Sequence, residues 1–384
     1  MAELGRSLRR RRRRRPETPL VAGNRVTLLV DGGPYFDAVL AAIRGAEDYV
    51  LLETYILRGD ETGWRVGRAL AERAREGVDV ALSFDGYGSL GIDEHYLAFL
   101  REAGVHVLEF APLSILEWRP PWGKRNHRKM LVVDGRLGIT GGMNIGNDYA
   151  DLASGGRNWR DTGISVEGPA VTQLEAMFRN TWYRAGGEPL ASEPRAAPTF
   201  PEGHVARFVG NHARRDRAEI RRAYLRAIFA ARRSVCIENA YFSPDPVILR
   251  ALLRAAKRGV EVEIITAGAT DVWPVLAVSR RLYGPLLRAG VTIYEWHERV
   301  LHAKTAVIDG LWSTVGSANF THRAFLLDLE VNATILSPVV GAQMEQLFRA
   351  DAGRSRRIDL ALWKARPLAQ RLVEWFFGLF RRLI

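Results

Sequence analysis

The sequence contains HRKMLVVDGRLGITGGMN at residues 127–144 and repeats its pattern as HAKTAVIDGLWSTVGSAN at residues 302–319. In each copy a lysine lies two positions after the histidine, an Asp-Gly pair lies seven and eight positions after it, and an asparagine lies seventeen positions after it. A single His-x-Lys would carry little information, because so short a pattern arises by chance. Two copies with the same internal spacing indicate a duplicated unit with a shared role.

The repeat extends to the segments in front of each copy. Three more pairs match, each joining helical and strand patterns through a glycine or a charged turn: 42–57 with 227–242, 67–86 with 249–268, and 99–110 with 286–296. Helix and strand patterns therefore alternate in both halves. This alternation predicts an α/β fold of two tandem domains, each with a mixed, largely parallel sheet flanked by helices.

The repeat also predicts where the domains lie. We expect a first domain over 19–192 and a second over 193–355, joined by a Pro-, Gly- and Ala-rich segment without periodicity. An arginine-rich tail at 1–18 is expected to be disordered, and a helical tail is expected over 356–384.

Composition is that of an ordinary globular protein, with 384 residues, 47% hydrophobic and 26% charged. The net charge is +12, and much of the excess lies in residues 1–15, which hold eight arginines and one glutamate. The run from Arg9 to Arg15 could bind anionic lipid headgroups, nucleic acid or nothing in particular. The single cysteine, Cys236, lies in an apolar run and is expected to be a buried, inert thiol. The sequence suggests neither a membrane span nor a signal peptide.

The duplicated pattern suits chemistry on a phosphate group. If the motif is a strand, an Asp-Gly turn and a returning strand, alternation places His127 with Lys129, and His302 with Lys304, on one face. The lysine would neutralise phosphate oxygens while the histidine attacks phosphorus or transfers a proton. A metal site is not expected, because each lysine would repel a divalent cation.

The other motif residues divide into two groups. Asp134 and Asp309 belong to the catalytic motif, but each lies seven residues after its histidine. An odd spacing places the two side chains on opposite faces of a strand, so we expect the aspartates to brace the site. Asn144 and Asn319 are expected to donate to phosphate oxygens, next to small residues, Gly142 and Ser317, that let the backbone approach an anion closely.

The two copies of H-x-K-x4-D-x6-G-[GS]-x-N resemble the signature of the phospholipase D superfamily over residues 20 to 350. The resemblance implies a pseudo-two-fold molecule with one active site at the interface of the halves and one histidine from each. One histidine would form a phosphohistidine, and the other would act as general acid and then base. It further implies that an acid beyond each motif orients a histidine, and by position these acids are Glu330 and Asp161.

Within the superfamily, several segments resemble bacterial cardiolipin synthases of the shorter type without N-terminal membrane spans. These segments include ETYILRGDETG, FDGYGS and VGSANFTHRAFLLDLEVN. The long arginine run is a departure from that pattern.

The last residues form a helical stripe. Large apolar residues recur on one side of the helix, and charged residues lie on the other: Leu368, Leu372, Trp375, Phe376, Leu379 and Leu383, against Arg371, Glu374, Arg381 and Arg382. Such a helix can lie in a membrane interface or pack on the protein itself. Beside a motif typical of lipid enzymes, the membrane is favoured.

Three activities are compatible with these residues. The first is the transfer of a phosphatidyl group between alcohols, making cardiolipin from two phosphatidylglycerol molecules or from phosphatidylglycerol and another phospholipid. The second is phospholipase D hydrolysis, and the third, less favoured, is a nuclease or phosphodiesterase. Phosphatidyl transfer predicts phospholipid substrates, an anionic membrane surface as partner, no nucleic-acid partner and no cofactor. It also predicts a peripheral position on the cytoplasmic face of the bacterial inner membrane.

Overall fold

The structure is a computed structural model that describes residues 17–113, 123–211, 218–270 and 272–379. The arginine run at Arg9 to Arg15 lies outside these residues, as do Arg381, Arg382 and Leu383 of the C-terminal stripe. Within the described part of the chain, no helix combines the length and apolarity needed to cross a bilayer.

The first half alternates strands and helices as its sequence pattern predicts. Its strands are β1 (Val21–Val30), β2 (Tyr49–Thr54), β3 (Asp79–Asp85), β4 (His106–Phe110), β5 (Met130–Val133), β6 (Leu137–Gly141) and β7 (Thr162–Glu167). Its helices are α1 (Gly32–Arg44), α2 (Glu61–Arg75), α3 (Glu94–Glu102) and α4 (Val171–Arg184), with a short 3-10 helix at Leu152–Ser154.

The second half repeats this order and then continues beyond it. Its strands are β8 (His204–Gly210), β9 (Ser234–Asn239), β10 (Phe242–Ser243), β11 (Glu261–Ala267), β12 (Thr292–Trp296), β13 (Lys304–Ile308), β14 (Trp312–Gly316), β15 (Phe320–Thr321), β16 (Val331–Leu336) and β17 (Arg356–Arg357). Its helices are α5 (Glu219–Ala230), α6 (Pro246–Lys257), α7 (Trp273–Arg281), α8 (Tyr283–Arg288), α9 (His322–Leu326), α10 (Pro338–Gly353), α11 (Leu360–Lys364) and α12 (Leu368–Gly378).

Among the described residues, fifteen strands form one continuous mixed sheet, in the order β17-β12-β11-β9-β13-β14-β16-β8-β1-β7-β6-β5-β2-β3-β4. Parallel pairs occur toward the two ends, where β2, β3 and β4 pair with one another, as do β9, β11 and β12. The middle of the sheet is antiparallel. The expectation of a largely parallel sheet is therefore wrong, because each histidine motif folds as a hairpin and its next strand returns beside it.

The two halves share part of their interior. Strands β1 and β8 pair across the junction, with Val21 opposite Ala206. One apolar cluster combines residues of both halves, among them Phe178 and Trp182 of α4 with Phe348 of α10. No helix or strand lies between α4 and β8, and the expected domain boundary falls within this irregular segment. A shared core fixes how the histidine hairpins of the two halves face each other.

The motif aspartates lie in the hairpin turns. Asp134 and Asp309 have φ values of 50° and 55°, and each is followed by a glycine with positive φ, as a tight hairpin turn requires. The Asp134 carboxylate accepts hydrogen bonds from the backbone N–H groups of Glu47, Asp48 and Tyr49 at 2.8 to 2.9 Å. Seven residues of extended chain would separate such a turn from its histidine by about 20 Å.

Asp309 repeats this arrangement in the second half. Its carboxylate accepts hydrogen bonds from the N–H groups of Arg232, Arg233 and Ser234 at the start of β9. Both aspartates therefore lie in the scaffold, where their position on the opposite face suggested a bracing role, and not among the groups that would contact substrate.

Substitution of Asp134 by alanine is expected to lower the free energy of unfolding by about 2 to 4 kcal/mol, because three backbone N–H groups lose a charged acceptor. Chemical denaturation measures this change. The matched control is Asp148→Ala, which removes a partly exposed partner of Arg157 and should cost less than about 1 kcal/mol. Equal stability of the two variants would contradict the bracing role.

The C-terminal helix α12 packs on α7 with Glu374, Phe377 and Gly378 inward, whereas Arg371 of its charged side is exposed. Glu374 is buried and forms an ion pair with Arg366 at 2.8 Å, and a Cβ at Gly378 would collide with the Arg281 side chain. The apolar stripe, by contrast, faces solvent, with exposed fractions between 49% and 71% for its described members: Leu368, Leu372, Trp375, Phe376 and Leu379. The helix is docked on the protein, yet its apolar side has no cover among the described residues.

Candidate active site

Both motif histidines lie just before a strand, where they pair with the opposite half. The backbone N–H of His127 donates to the carbonyl of Leu329 at 2.9 Å, and that of His302 donates to the carbonyl of Arg160 at 2.7 Å. Leu329 and Arg160 each immediately precede one of the acids predicted to orient a histidine. Short parallel bridges between the halves thus bring each histidine beside the acid of the other half.

The predicted acids orient the histidines in a crossed arrangement. Nδ1 of His127 lies 2.9 Å from Oε1 of Glu330, and Nδ1 of His302 lies 2.7 Å from Oδ2 of Asp161. A carboxylate at Nδ1 fixes the ring and leaves Nε2 as the nitrogen available for reaction. Each half of the chain therefore supplies one histidine, together with the acid that orients the histidine of the other half.

The small motif residues support these acids. The Ser317 hydroxyl donates to Oε2 of Glu330. A Cβ added at Gly142 would lie 2.3 Å from Oδ2 of Asp161, so a side chain at that position would displace the acid. Gly142 and Ser317 thus lie next to the orienting acids, and the close approach of the backbone to an anion stays a prediction.

Both motif asparagines line the same cavity as the histidines. The side chain of Asn144 is engaged, because its oxygen accepts from the N–H of Ile56 at 3.0 Å and its amide donates to the hydroxyl of Tyr149 at 2.6 Å. The buried side-chain oxygen of Asn319 has no hydrogen-bond partner among the described residues. The donation expected from the two asparagines to phosphate oxygens stays a prediction.

The motif lysines are buried beside the histidines. Nζ of Lys129 donates to the carbonyl of His127 at 2.7 Å, and Nζ of Lys304 donates to the carbonyl of His302. Burial, opposed by the charge of Glu330, lowers the pKa of Lys129 to about 7. An anion entering the site would favour the charged form of this amine.

The cavity at the interface has a volume of about 510 Å³ and is lined by residues of both halves. Tyr55 packs against His127 with ring centroids 4.8 Å apart, and Tyr149 packs against His302 at 5.2 Å. Sequence reasoning missed several lining residues, including Tyr55, Tyr149, Arg125, Arg323, Val272 and Val275. The signal for Tyr55 was its position two residues after Glu53 in the repeated strand, whereas the others come from segments without a repeated pattern.

The two histidines have different electrostatic surroundings. Burial and the charges of Lys129 and Lys304 hold the pKa of His127 well below its usual value. The pKa of His302 is also lowered by burial and by Lys304, but the hydrogen bond and charge of Asp161 oppose that shift. A neutral imidazole is thus favoured at His127, and a proton is better supported at His302.

The described residues offer no group of three or more His, Cys, Asp or Glu side chains arranged to hold a metal ion. The arrangement provides instead two oriented imidazoles, buried ammonium groups and an asparagine oxygen without a partner. Two imidazoles in one pocket can carry out nucleophilic attack and proton transfer on the same substrate.

Comparison with known families places the repeat in one of them. The family described as "Cardiolipin synthase, PLD-like domain" matches residues 39–182 and again residues 224–352. These two matches confirm the tandem repeat predicted from the sequence.

Curated relatives match over most of the chain. A cardiolipin synthase of Geobacillus kaustophilus is 34% identical over 360 residues, which cover 93% of this chain and 72% of the relative. The major cardiolipin synthase of Bacillus subtilis is 34% identical, covering 91% of this chain and 73% of the relative. Cardiolipin synthase A of Pseudomonas fluorescens is 35% identical, covering 88% and 71%.

A solved structure shares the fold. The phosphatidylserine synthase of Haemophilus influenzae superposes with a TM-score of 0.72, covering 96% of this chain and 97% of that one, at 15% sequence identity. At this identity the likeness concerns the fold alone.

Proposed function

The chain belongs to the phospholipase D-like family of cardiolipin synthases, and on that premise we propose that it joins two phosphatidylglycerol molecules into cardiolipin through a phosphohistidine. Another phospholipid could replace the phosphatidylglycerol that donates the phosphatidyl group and would release its own headgroup alcohol, while the second phosphatidylglycerol still supplies the accepting hydroxyl. The observation that carries the proposal is the pair of imidazoles facing one cavity, each oriented by an acid of the opposite half.

The first half-reaction breaks the bond between phosphorus and the glycerol headgroup. Nε2 of His127 attacks phosphorus, and His302 gives its proton to the departing glycerol oxygen, so that glycerol leaves as a neutral alcohol. The lowered pKa of His127 favours the neutral imidazole that attack requires. The hydrogen bond from His302 to Asp161 supports the proton that departure requires.

The second half-reaction transfers the phosphatidyl group. A headgroup hydroxyl of the second lipid gives its proton to His302, now neutral, and its oxygen attacks the phosphohistidine. The bond between Nε2 of His127 and phosphorus breaks, and both histidines return to their starting states. Lys129 and Lys304 supply positive charge next to the reacting phosphoryl group throughout.

Water in place of the second lipid would give phosphatidic acid, the product of a phospholipase D. The apolar lining residues Val272 and Val275 favour a lipid acceptor, because they offer acyl chains a path beside the histidines and limit the space for water. The same two apolar residues make the cavity less suited to a nucleic-acid substrate.

Product analysis tests the assignment directly. Purified protein is incubated with phosphatidylglycerol vesicles, with and without phosphatidylethanolamine, and the lipids are separated by thin-layer chromatography and identified by mass spectrometry. Cardiolipin and free glycerol in equal amounts are expected. Phosphatidic acid as the main product would establish hydrolysis instead, and the absence of any product would contradict both.

We further propose that the apolar side of α12 docks on the membrane, with the protein peripheral on the cytoplasmic face. Helix α12 lies near the cavity, because the ring of its Phe377 lies 4.7 Å from that of Trp273, and Val272, next to Trp273, lines the cavity. Docking of α12 would therefore bring the cavity entrance to the lipid surface. The cytoplasmic leaflet carries the negative surface potential that attracts basic segments, and the run from Arg9 to Arg15 is such a segment.

Replacement of Leu372, Trp375 and Leu379 by glutamine is expected to lower the partition of the protein onto phosphatidylglycerol vesicles at least about 100-fold. Full burial of a large apolar side chain contributes about 1.5 to 3 kcal/mol, so insertion of all three contributes at least about 4.5 kcal/mol. A 100-fold change in partition corresponds to only about 2.8 kcal/mol. Vesicle co-sedimentation measures the partition. The melting temperature should not fall, because all three side chains are exposed.

The matched control replaces three exposed apolar residues outside the stripe, Leu152, Leu311 and Val339, by glutamine. It should leave vesicle binding as it was. Equal binding by both triple variants would show that α12 does not dock on the membrane.

A further inference from the structure

Two buried arginines lie beside the acids that orient the histidines. Arg128 is 0% exposed and Arg160 is 1% exposed. Each donates to the backbone carbonyl of one acid: Nε of Arg128 to that of Glu330 at 3.2 Å, and Nη1 of Arg160 to that of Asp161 at 2.6 Å. Neither arginine lines the catalytic cavity, so the proposed reaction gives neither of them a contact with substrate.

Each arginine also reaches the last long helix of one half. Nη1 of Arg128 donates to the hydroxyl of Thr181 in α4 at 2.9 Å, and Nε of Arg160 donates to Oδ2 of Asp351 in α10 at 3.0 Å. Thr181 and Asp351 correspond in the repeat, since the two family matches end one residue after them, at 182 and 352. The two guanidinium groups thus occupy corresponding places in the two halves.

A buried glutamate from the repeated strands lies near each guanidinium. Oε1 of Glu53 in β2 lies 4.0 Å from Nη1 of Arg128, and Oε2 of Glu238 in β9 lies 3.7 Å from Nη2 of Arg160. The two glutamates hold matching positions in the repeated segments 42–57 and 227–242, and each is 1% exposed. A carboxylate at this distance offsets part of the cost of burying the positive charge.

The two arginines come from different positions of the repeat. Arg128 lies between the histidine and the lysine of the first motif, where the second motif has Ala303. Arg160 immediately precedes its acid, where the other half has Leu329. Duplication alone would have copied an arginine to the same position in both halves. The same set of contacts, made from two different positions, indicates that each half of the site needs a guanidinium at this place.

The peptide carbonyl of each acid is held by two donors. Besides the arginine, the carbonyl of Glu330 accepts from the backbone N–H of Asn211 at 3.1 Å, and that of Asp161 accepts from the backbone N–H of Asp31 at 2.9 Å. A carbonyl oxygen has two lone pairs, so both are used and the peptide plane of each acid is fixed.

Each arginine is joined to a histidine as well as to an acid. Arg128 follows His127 in the chain, and the carbonyl of Arg160 accepts from the backbone N–H of His302 at 2.7 Å. One side chain therefore connects the backbone of each histidine to the backbone of the acid that orients it. A shift of either backbone would lengthen or bend the hydrogen bond at Nδ1.

We propose that Arg128 and Arg160 are positioning residues, each of which holds one orienting acid at the correct distance from its histidine. The inference rests on the proposed function only for the reaction that the histidines carry out. The contact between acid and imidazole belongs to the folded protein and can be measured without substrate.

Proton NMR of the full chain measures this contact. A proton on Nδ1 that is shared with a buried carboxylate resonates far downfield of the backbone amide protons, because the hydrogen bond is charge-assisted. Two such signals are expected. His127→Gln and His302→Gln should each remove one of them, which assigns one signal to each motif.

Double variants remove a guanidinium together with one carboxylate, so that the net charge is unchanged. Arg128→Met with Glu53→Gln should shift or broaden only the signal of the first motif. Arg160→Met with Asp351→Asn should shift or broaden only the signal of the second motif. Each should also slow cardiolipin formation by about 10- to 100-fold, as expected when a distant change misplaces a reacting group.

The matched control is Arg179→Met with Glu175→Gln. It removes another buried arginine and its carboxylate partner, 2.8 Å away in α4, but neither residue contacts an orienting acid. Both NMR signals and the rate should stay as they were. Arg128→Lys keeps the buried charge if a double variant does not fold, and it should also shift the first signal, because one ammonium cannot reach the separate acceptors of a guanidinium.

An unchanged signal in a folded double variant would overturn the proposal for that arginine. Equal shifts of both signals in every variant, the control included, would overturn it for both, because the effect would then be general loosening. Absence of both downfield signals from the parent protein would do the same, since no acid would be held against an imidazole. Signals that respond as expected in a chain that makes no cardiolipin would uphold the positioning role and refute the proposed function.

Discussion

Replacement of His127 or His302 by alanine is expected to reduce cardiolipin formation by at least about 1000-fold, the upper part of the range for losing a positioned acid or base. The loss should be complete in practice for His127, since no other imidazole in the cavity is held at the attacking position. Both variants should remain folded, because the two side chains face the cavity and do not fill the apolar core. Quantification of labelled cardiolipin over time, beside melting curves, measures both effects.

A substrate with a better leaving group distinguishes the two histidines. A p-nitrophenyl phosphodiester releases p-nitrophenolate without needing a proton from an acid. His302→Ala should therefore still release about one equivalent of p-nitrophenol per enzyme and carry the phosphoryl group on His127, which peptide mass spectrometry detects. His127→Ala should release none. The reverse pattern would assign the attack to His302, and near-normal turnover by either variant would refute a shared site.

Glu330→Gln is expected to slow turnover by about 100-fold or more, because an amide no longer favours the tautomer and orientation of the imidazole as a carboxylate does. The crossed geometry makes this prediction specific. Glu330 belongs to the second half but contacts His127 of the first, so the burst with the p-nitrophenyl substrate should slow. Asp161→Asn should slow cardiolipin formation but leave that burst nearly intact, because Asp161 contacts His302.

Ser317→Ala is a control for Glu330→Gln that should slow turnover less. It removes a hydrogen bond to Glu330 but leaves the carboxylate itself, so a loss of about tenfold or less is expected. Equal effects of Glu330→Gln and Asp161→Asn on the burst would show that the acids do not act on separate histidines.

Sequence predicted the repeat, the paired histidines and lysines, and the two acids, since all of these are carried by local spacing or by the family pattern. The crossed pairing could not be predicted, because it depends on how the halves dock through the bridges at Leu329 and Arg160. Parity along a strand indicated that Asp134 lies apart from the histidine, but not that three N–H groups of the neighbouring strand surround it. The expectation of a largely parallel sheet was wrong for a related reason, since the two histidine hairpins and the strands between them pair antiparallel.

The C-terminal helix shows a different limit. Its periodicity identified an apolar side and a polar side, and hydrophobicity alone would direct the apolar side inward. The ion pair of Glu374 with Arg366 and the close approach of Gly378 to Arg281 instead turn the side that carries Glu374 and Gly378 inward. Such contacts depend on residues distant in the pattern, so the direction in which the stripe faces was accessible only from the structure.

The crossed acids also constrain how a duplicated chain of this kind can evolve. In many tandem repeats one copy can degenerate while the other retains the activity. Here loss of Glu330 from the second copy would disable the histidine of the first, and loss of Asp161 from the first would disable the histidine of the second. Neither copy is a spare, and selection on the activity must preserve both as a single heritable unit.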